Sequence, residues 1–297
     1  MKAAVQCLPR SAAQAKQLAA RLKLPLHAIE VHRFPDRELR VTVGPAAETT
    51  IVFASLFDPD DKLLMLLFAA EALRRGGARR LVLVAPYLCY MRQDVAFHEG
   101  EAVSQKIVGR LLAASFDRVV TVDAHLHRTK DIGEVFPGIA ADNISAVPAI
   151  ADALREDALD AATVVAGPDE ESRPWVAELA RRLGLAHAVA RKSRRGDRSV
   201  EIQFPEPALF KGRPVLLIDD IASSGGTLAA CAAALRAAGS RGIDAVIVHA
   251  LLPPDVAPTL RDAGIRSIRS TDSVPHPTNA IALDGVLADA LRGELGA

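Results

Sequence analysis

Hydrophobic and polar positions follow two rhythms that take turns along this chain. Apolar runs of about four to six residues read as strands buried on both faces, and longer stretches with an apolar residue every third or fourth position read as amphipathic helices. Residues 2 to 7 give a first strand and SAAQAKQLAARL a first helix, with Ser11 and Gln14 spaced as a capping box. HAIEVHRF and ELRVTV predict two strands around the turn Pro35-Asp36-Arg37. TIVFAS, the helix DKLLMLLFAAEALRRGG, the strand RLVLVA, a helix from Ala102 to Ala114 and the strand RVVTVD complete a first series. A second begins near Asn143: helix SAVPAIADAL, strand TVVAG, helix WVAELARRLG, strand AHAVA, a basic loop, strand Val215 to Ile218, helix TLAACAAALRAAG closed by Gly239, and strands IDAVIVHA and IRSIRS.

Strands alternating with helices predict an α/β fold with two similar doubly wound domains, each a mainly parallel sheet flanked by helices. The boundary falls near residue 143, giving domains 1–143 and 144–297. The closing helix IALDGVLADAL is free to pack on either one. LVLVAPY resembles VVAGPD, and VVTVDAH resembles VLLIDDI, a hint of duplication.

Composition narrows the functional classes. Half of the 297 residues are hydrophobic and few are aromatic, which suits helices layered on a parallel sheet. The 36 basic residues balance the 36 acidic ones, so no global field points to nucleic acid or a membrane surface, and any anion site is local. No apolar run reaches the roughly 18 residues of a membrane span, and the N-terminus does not read as a signal peptide. Cys7, Cys89 and Cys231 are scattered without metal-ligand spacing, as in a reducing, cytoplasmic setting.

The chemistry concentrates in VLLIDDIASSGGTL, residues 215–228. A strand runs out at Asp219 and Asp220, and Ser223, Ser224, Gly225, Gly226 and Thr227 lead into a helix. Glycines admit main-chain N–H groups close to an anion, hydroxyls add donors, and the helix N-terminus adds positive potential. That order forms a receptor for a phosphorylated sugar, in which the carboxylates accept from sugar hydroxyls or neutralise a bound metal ion. Elsewhere, any two of Asp123, His125 and His127 can converge on an ion, and Asp169, Glu170 and Glu171 stand at another strand end. Across a crevice between domains, a carboxylate and an imidazole at such ends would hold Mg²⁺ and the polyphosphate it bridges.

DDIASSGGT resembles the ribose-phosphate loop shared by type I phosphoribosyltransferases and ribose-phosphate pyrophosphokinases (PRPP synthetases). Five further stretches resemble the synthetases, and VEI at 200–202 and VPHPTNAIAL resemble the short archaeal-type members in particular. The resemblance implies two domains of the phosphoribosyltransferase kind, an ATP-side domain followed by a domain for ribose 5-phosphate. It also implies transfer of the β,γ-diphosphoryl group of Mg·ATP to O1 of ribose 5-phosphate, giving AMP and PRPP. RFPDRE resembles an adenine loop of pattern Phe-x-Asp-Gly-Glu, implying Phe34, Asp36 and Glu38 at the base. PYLCYMRQD matches Pro-Tyr-x-x-Tyr-x-Arg-Gln-Asp, implying Arg92 at the phosphates with Gln93 and Asp94 orienting the base or a neighbouring subunit. Asp-x-His and Pro-Asp imply metal positions at His125 and Asp169, with Mg²⁺ as cofactor. ARKSRRGDRSVEI resembles the flexible catalytic loop, implying Lys192 and Arg194 on the phosphoryl group in flight and a lid built around Gly196-Asp197. Asp219 and Asp220 would hold ribose hydroxyls and Ser223 to Thr227 the 5-phosphate. The expected partners are ATP, ribose 5-phosphate and further copies of the chain in a homodimer or larger homo-oligomer, with neither nucleic acid nor membrane.

Three departures from the pattern stand out. Arg37 replaces a glycine, Glu171 and Ser172 replace small glycine-rich residues after Asp169, and AVSQK at 102–106 replaces Pro-Ile-Ser-x-Lys. Bulk beside Asp169 would narrow the substrate site, as in a catalytically silent regulatory relative or an enzyme with a shifted phosphorylated-sugar substrate. Lys192, Arg194, His125 and Asp169 are all present, which favours an active enzyme.

Overall fold

The computed structural model describes residues 2–157, 159–195, 199–253 and 255–295, with 193–195 and 199–201 described by their backbone alone. The chain divides into two compact units, Met1–Ile144 joined by Leu283–Ala297, and Ser145–Ala282.

The first unit holds a parallel six-stranded sheet of order β2-β1-β5-β6-β7-β8, made from β1 (Ala3–Cys7), β2 (Leu26–Ala28), β5 (Thr49–Phe53), β6 (Arg80–Ala85), β7 (Arg118–Val122) and β8 (Ala140–Ile144). Its central strands are the apolar runs, and residues such as Val5, Ile51, Leu83 and Val120 are wholly buried because helices cover both faces. On one face α2 (Asp60–Arg75) and α3 (Ser104–Ala113) bury Leu66, Leu73, Val108 and Leu112 into a core with Phe116 and Phe136. α1 (Ala12–Leu22) packs against α8 (Asp284–Leu291). The tail after α8 is fixed by Glu294, whose buried carboxylate accepts from Arg80 at 2.8 Å and from Arg118 at 2.9 Å.

The second unit repeats the plan. Its parallel sheet, order β10-β9-β13-β14-β15-β16, is made from β9 (Val164–Gly167), β10 (Ala186–Val189), β13 (Pro214–Ala222), β14 (Gly242–Ala250), β15 (Ile265–Thr271) and β16 (Asn279–Ile281). Helices α4 (Val147–Arg155), α5 (Arg173–Leu183), α6 (Gly226–Ala237) and α7 (Val256–Asp262) complete it. Each unit also inserts an antiparallel hairpin between the second and third strands of its sheet. In the first this is β3 (Glu30–Arg33) with β4 (Leu39–Thr42), and in the second β11 (Arg191–Arg195) with β12 (Ser199–Gln203).

Two doubly wound α/β units are thus present, with several local differences from the sequence reading. The resemblances picked out between the halves join strands at non-equivalent sheet positions: β9 corresponds to β1 and β13 to β5. HAIEVHRF is divided, with β2 joining the main sheet and β3 the hairpin. The basic stretch is a strand pair where described, while Gly196, Asp197 and Arg198 lie outside the described residues. Ser11 forms no capping box, because its hydroxyl accepts the Ser55 amide at 3.0 Å. Strands β8 and β16 and helix α7 lie in stretches too polar or too short to show a periodicity. Among the described residues no helix is long and apolar enough to cross a membrane, and all three cysteines are buried free thiols.

Candidate active site

In the second unit the main chain of β13 continues through Asp219 and Asp220 to Ala222, so the acid pair lies inside the strand and not beyond it. Asp219 faces inward and is 6 % exposed, and its carboxylate accepts the Asp220 amide at 3.0 Å. Asp220 is half-buried and accepts the Ile221 amide at 2.8 Å. Burial, reinforced by the charges of Asp220 and Asp169, pushes the Asp219 carboxyl well above the usual carboxylate range. The Cys231 thiol in α6 is pushed up by burial and by Asp219 and Asp169, and drawn down by Lys192. Asp169, Asp219 and Lys192 therefore all act on the Cys231 thiol of α6.

The loop after β13 turns on Gly225, which has φ of +76° and caps α6. A Cβ there would stand 2.7 Å from Val256 Cγ1, so both backbone conformation and space require glycine. Ser224 and Gly226 are exposed and Ser223 and Thr227 half-buried, leaving the loop's polar groups accessible at a helix N-terminus. Asp169 follows β9 and caps a 3-10 turn, Glu170–Ser172, by accepting the Ser172 amide at 3.1 Å. Ser172 is fully buried, and its hydroxyl donates to the Asp169 carbonyl at 2.5 Å. It occupies the space a Cβ on Gly167 would need, so it turns inward and adds no bulk beside Asp169. Glu170 pairs with Arg173, and Glu171 is exposed. Lys192 is exposed on the β11 hairpin, and the Arg194 side chain lies outside the described residues.

In the first unit the tip of the β3-β4 hairpin is closed by the Arg37 amide donating to the Phe34 carbonyl at 2.8 Å. Arg37 has φ of +76°, the left-handed conformation that suits the glycine it replaces. Phe34, Asp36 and Glu38 are all exposed, and Phe34 is backed edge-on by His32 at 4.7 Å. After β6, Arg92 is exposed and Gln93 half-buried, but Asp94 is buried and bonded to Arg128. Burial raises the Asp94 carboxyl, but the amide and guanidinium of Arg128 outweigh it and hold the group below its ordinary value. After β7, Asp123 and His125 are half-buried and His127 exposed, with the two imidazoles 6.1 Å apart.

Among the described residues no three His, Cys, Asp or Glu side chains form a ready metal cage. Mg²⁺ keeps several waters and binds through one or two carboxylates plus substrate phosphates. Asp169 and Asp219, which act on one another electrostatically, offer the oxygen donors such an ion prefers.

Sequence reasoning passed over the residues that support these loops: Gln105, Arg128, Thr129 and Asn143 in the first unit and His249 in the second. Gln105 left a signal, since it occupies a position of the buried stripe of α3, in series with Val108, Gly109 and Leu112. His249, 1 % exposed and level with Ile221 in the sheet, bonds through Nδ1 to the Ser273 hydroxyl at 2.8 Å, yet reads in sequence as part of an apolar run.

Comparison with known proteins follows the same division. Residues 5–115 match the N-terminal domain of ribose phosphate pyrophosphokinase, and residues 141–269 match the phosphoribosyl transferase domain. The chain is 34% identical to the ribose-phosphate pyrophosphokinase of Methanopyrus kandleri, across 95% of this chain and 96% of that one. The Rhizobium meliloti protein of the same name is also 34% identical, over 88% of this chain and 83% of its own. The crystal structure of phosphoribosylpyrophosphate synthetase from Mycobacterium smegmatis superposes with a TM-score of 0.85 at 25% identity, covering 99% of both chains.

Proposed function

Because the chain belongs to the ribose-phosphate pyrophosphokinase family, we propose that it makes PRPP and AMP from ATP and ribose 5-phosphate. One observation carries the site-level reading. Each stretch that the reaction needs lies beyond, or at, the carboxyl end of a strand in its own unit, where ligands of open α/β sheets bind. The hairpin of Phe34 follows β2, Arg92 follows β6, His125 follows β7, Asp169 follows β9, Lys192 follows β10, and Asp219 and Asp220 lie near the carboxyl end of β13, which closes at Ala222.

In this reading the first unit is the ATP side and the second the ribose 5-phosphate side. Amides and hydroxyls of Ser223 to Thr227 hold the 5-phosphate at the start of α6, and Asp219 with Asp220 accept from the ribose hydroxyls. Phe34 stacks on the adenine, Asp36 and Glu38 accept from its amine, Gln93 helps to orient it, and Arg92 pairs with the phosphates. His125 in the first unit and Asp169 in the second would each serve as a ligand for Mg²⁺, which supplies charge neutralisation along the polyphosphate. O1 of the sugar attacks the β-phosphorus and loses its proton, and the bond from that phosphorus to the α,β-bridging oxygen breaks to release AMP. Lys192 and Arg194 stabilise the charge that collects on the bridging oxygen.

The inward turn of Ser172 takes one of the two bulky departures beside Asp169 out of the sugar site, which weighs against a silent relative or a shifted substrate. Leu64 and Phe68 on α2, with Ile107 and Leu111 on α3, are each at least 36% exposed, an apolar surface that supports a homo-oligomer. Three free buried thiols support a reducing cytoplasm. The test is a coupled assay for AMP release. Turnover should require both ribose 5-phosphate and Mg²⁺. Intact ligand binding without turnover would indicate the silent relative, and turnover only on another phosphorylated sugar would indicate the shifted enzyme.

A further inference from the structure

The segment after β7 carries His125 in an unfavourable backbone: Asp123 has φ of +36° and His127 φ of +35°, values that L side chains rarely adopt. Such conformations persist only where the surroundings hold them, and here three side chains from outside the segment do so. At its start Asn143 accepts the Ala124 amide at 2.8 Å and donates back to the Ala124 carbonyl at 3.5 Å. At its far end the Asp94 carboxylate, 2 % exposed, accepts the Arg128 amide at 3.1 Å through one oxygen and the Arg128 guanidinium at 2.8 Å through the other. Beside it the buried Gln105 accepts the Thr129 hydroxyl at 3.0 Å and donates to the Met91 carbonyl at 3.2 Å, while its amide donates to the Gln93 carbonyl at 3.2 Å. The Arg92–Asp94 stretch and the His125 segment are therefore one hydrogen-bonded assembly.

We infer that Asp94 is a positioning residue that fixes His125, with Gln105 and Asn143 as its auxiliaries, and that it does not bind the nucleotide. Each Asp94 oxygen is engaged by Arg128 and the side chain is 2 % exposed, so its bonding is directed to the His125 segment and not to a base or phosphate. A buried carboxylate paired with a guanidinium holds a backbone more tightly than a neutral side chain does, because charge-assisted bonds are roughly twice as strong as neutral ones. Residues that orient a metal ligand commonly change metal affinity by about ten- to a hundredfold when altered. The inference rests on the proposed role of His125 toward Mg²⁺.

The test uses the full chain and Asp94→Asn, which keeps the shape but sets an amide against the Arg128 donors. Mn²⁺ binding is followed by electron paramagnetic resonance in the presence of α,β-methylene ATP, and affinity for metal-free AMP by calorimetry. Positioning requires Mn²⁺ affinity to fall about tenfold or more, AMP affinity to stay within about twofold, and Arg128→Ala to reproduce the loss without adding to it in the double variant. A parallel loss of AMP affinity would make Asp94 a nucleotide ligand, and unchanged Mn²⁺ affinity would remove its role; either overturns the inference. Thr129→Val, which removes only the hydroxyl bonded to Gln105, gives the same comparison should Asp94→Asn not fold, with a smaller loss of Mn²⁺ affinity expected and none contradicting the clamp. His125→Ala separates the two claims. If it leaves Mn²⁺ affinity unchanged, the reading of His125 fails and this inference with it; if it weakens Mn²⁺ while Asp94→Asn does not, only the inference fails.

Discussion

Replacing Gly225 with alanine tests the sugar-phosphate loop at its most constrained point. The residue sits at φ of +76° and ψ of −5°, and an added Cβ would lie 2.7 Å from Val256 Cγ1 and 3.3 Å from Leu260 Cδ2. The left-handed conformation costs a non-glycine residue about 1 kcal/mol, and overpacking against α7 a further cost of about 1–3 kcal/mol. The chain can avoid that total only by shifting the loop, which moves the amides that face the phosphate. If about 2 kcal/mol of the strain is relieved in this way, affinity for ribose 5-phosphate falls about thirtyfold, at 1.4 kcal/mol per decade. Calorimetric titration of ribose 5-phosphate with Mg²⁺ present reads the affinity, and a thermal melt confirms that the variant is folded. Val256→Ala in the Gly225→Ala background removes the nearest collision and keeps the backbone strain, so it should restore part of the loss. A folded Gly225→Ala protein whose sugar-phosphate affinity stays within about twofold would refute the assignment of this loop.

Three other perturbations follow from the structure. Arg37→Gly exchanges a strained left-handed residue for one that adopts φ of +76° freely; the relief of about 1 kcal/mol is partly offset by the entropy of the unfolded chain, so stability should change by less than about 1 kcal/mol and the KM for ATP should not rise, as melts and steady-state kinetics would show. Glu294→Ala leaves the Arg80 and Arg118 guanidiniums without their shared carboxylate and should cost about 2–4 kcal/mol by denaturant unfolding. The Arg80 hydrogen bond and the Arg118 pair hold the Glu294 carboxyl below its ordinary value against burial, so its contribution is present above the unfolded pKa of about 4.3 and fades as pH falls through the folded value. The difference between wild type and variant should therefore shrink below about pH 4. Lys192→Ala should lower kcat at least about a hundredfold with little change in the KM for ribose 5-phosphate, and an equal loss in both would make Lys192 a ground-state contact.

The architecture was legible where burial dictates pattern. Central strands such as Leu81–Val84 and Val215–Ile218 show as apolar runs because both faces are covered, and α1 and α5 show as amphipathic helices. The edge strands β8 and β16 were not legible, although β10, also at an edge, shows as AHAVA. Asp142 and Asn143 of β8 carry no apolar alternation because one side of an edge is open to other uses, and Asn143 is there to hold Ala124. Site residues showed as local motifs, since glycines, acids and hydroxyls at strand ends have a chemical reason to be adjacent. What holds them did not, because Asp94 meets Arg128 34 positions away and Gln105 meets Thr129 24 positions away, pairings that only the fold creates. Arg37, standing where the resemblance has glycine, takes the left-handed backbone that glycine adopts freely. Of the two residues expected to add bulk beside Asp169, Ser172 is buried over Gly167 and Glu171 is exposed.

The central claim is that two phosphoryl groups move together from ATP to the sugar. Phosphorus NMR of ATP, Mg²⁺ and ribose 5-phosphate with the purified chain follows this directly. The account requires the AMP resonance to grow in step with a diphosphate ester on the anomeric carbon, with no ADP formed. Growth of ADP with a single new phosphate ester, or ATP consumption that does not need the sugar, would contradict it.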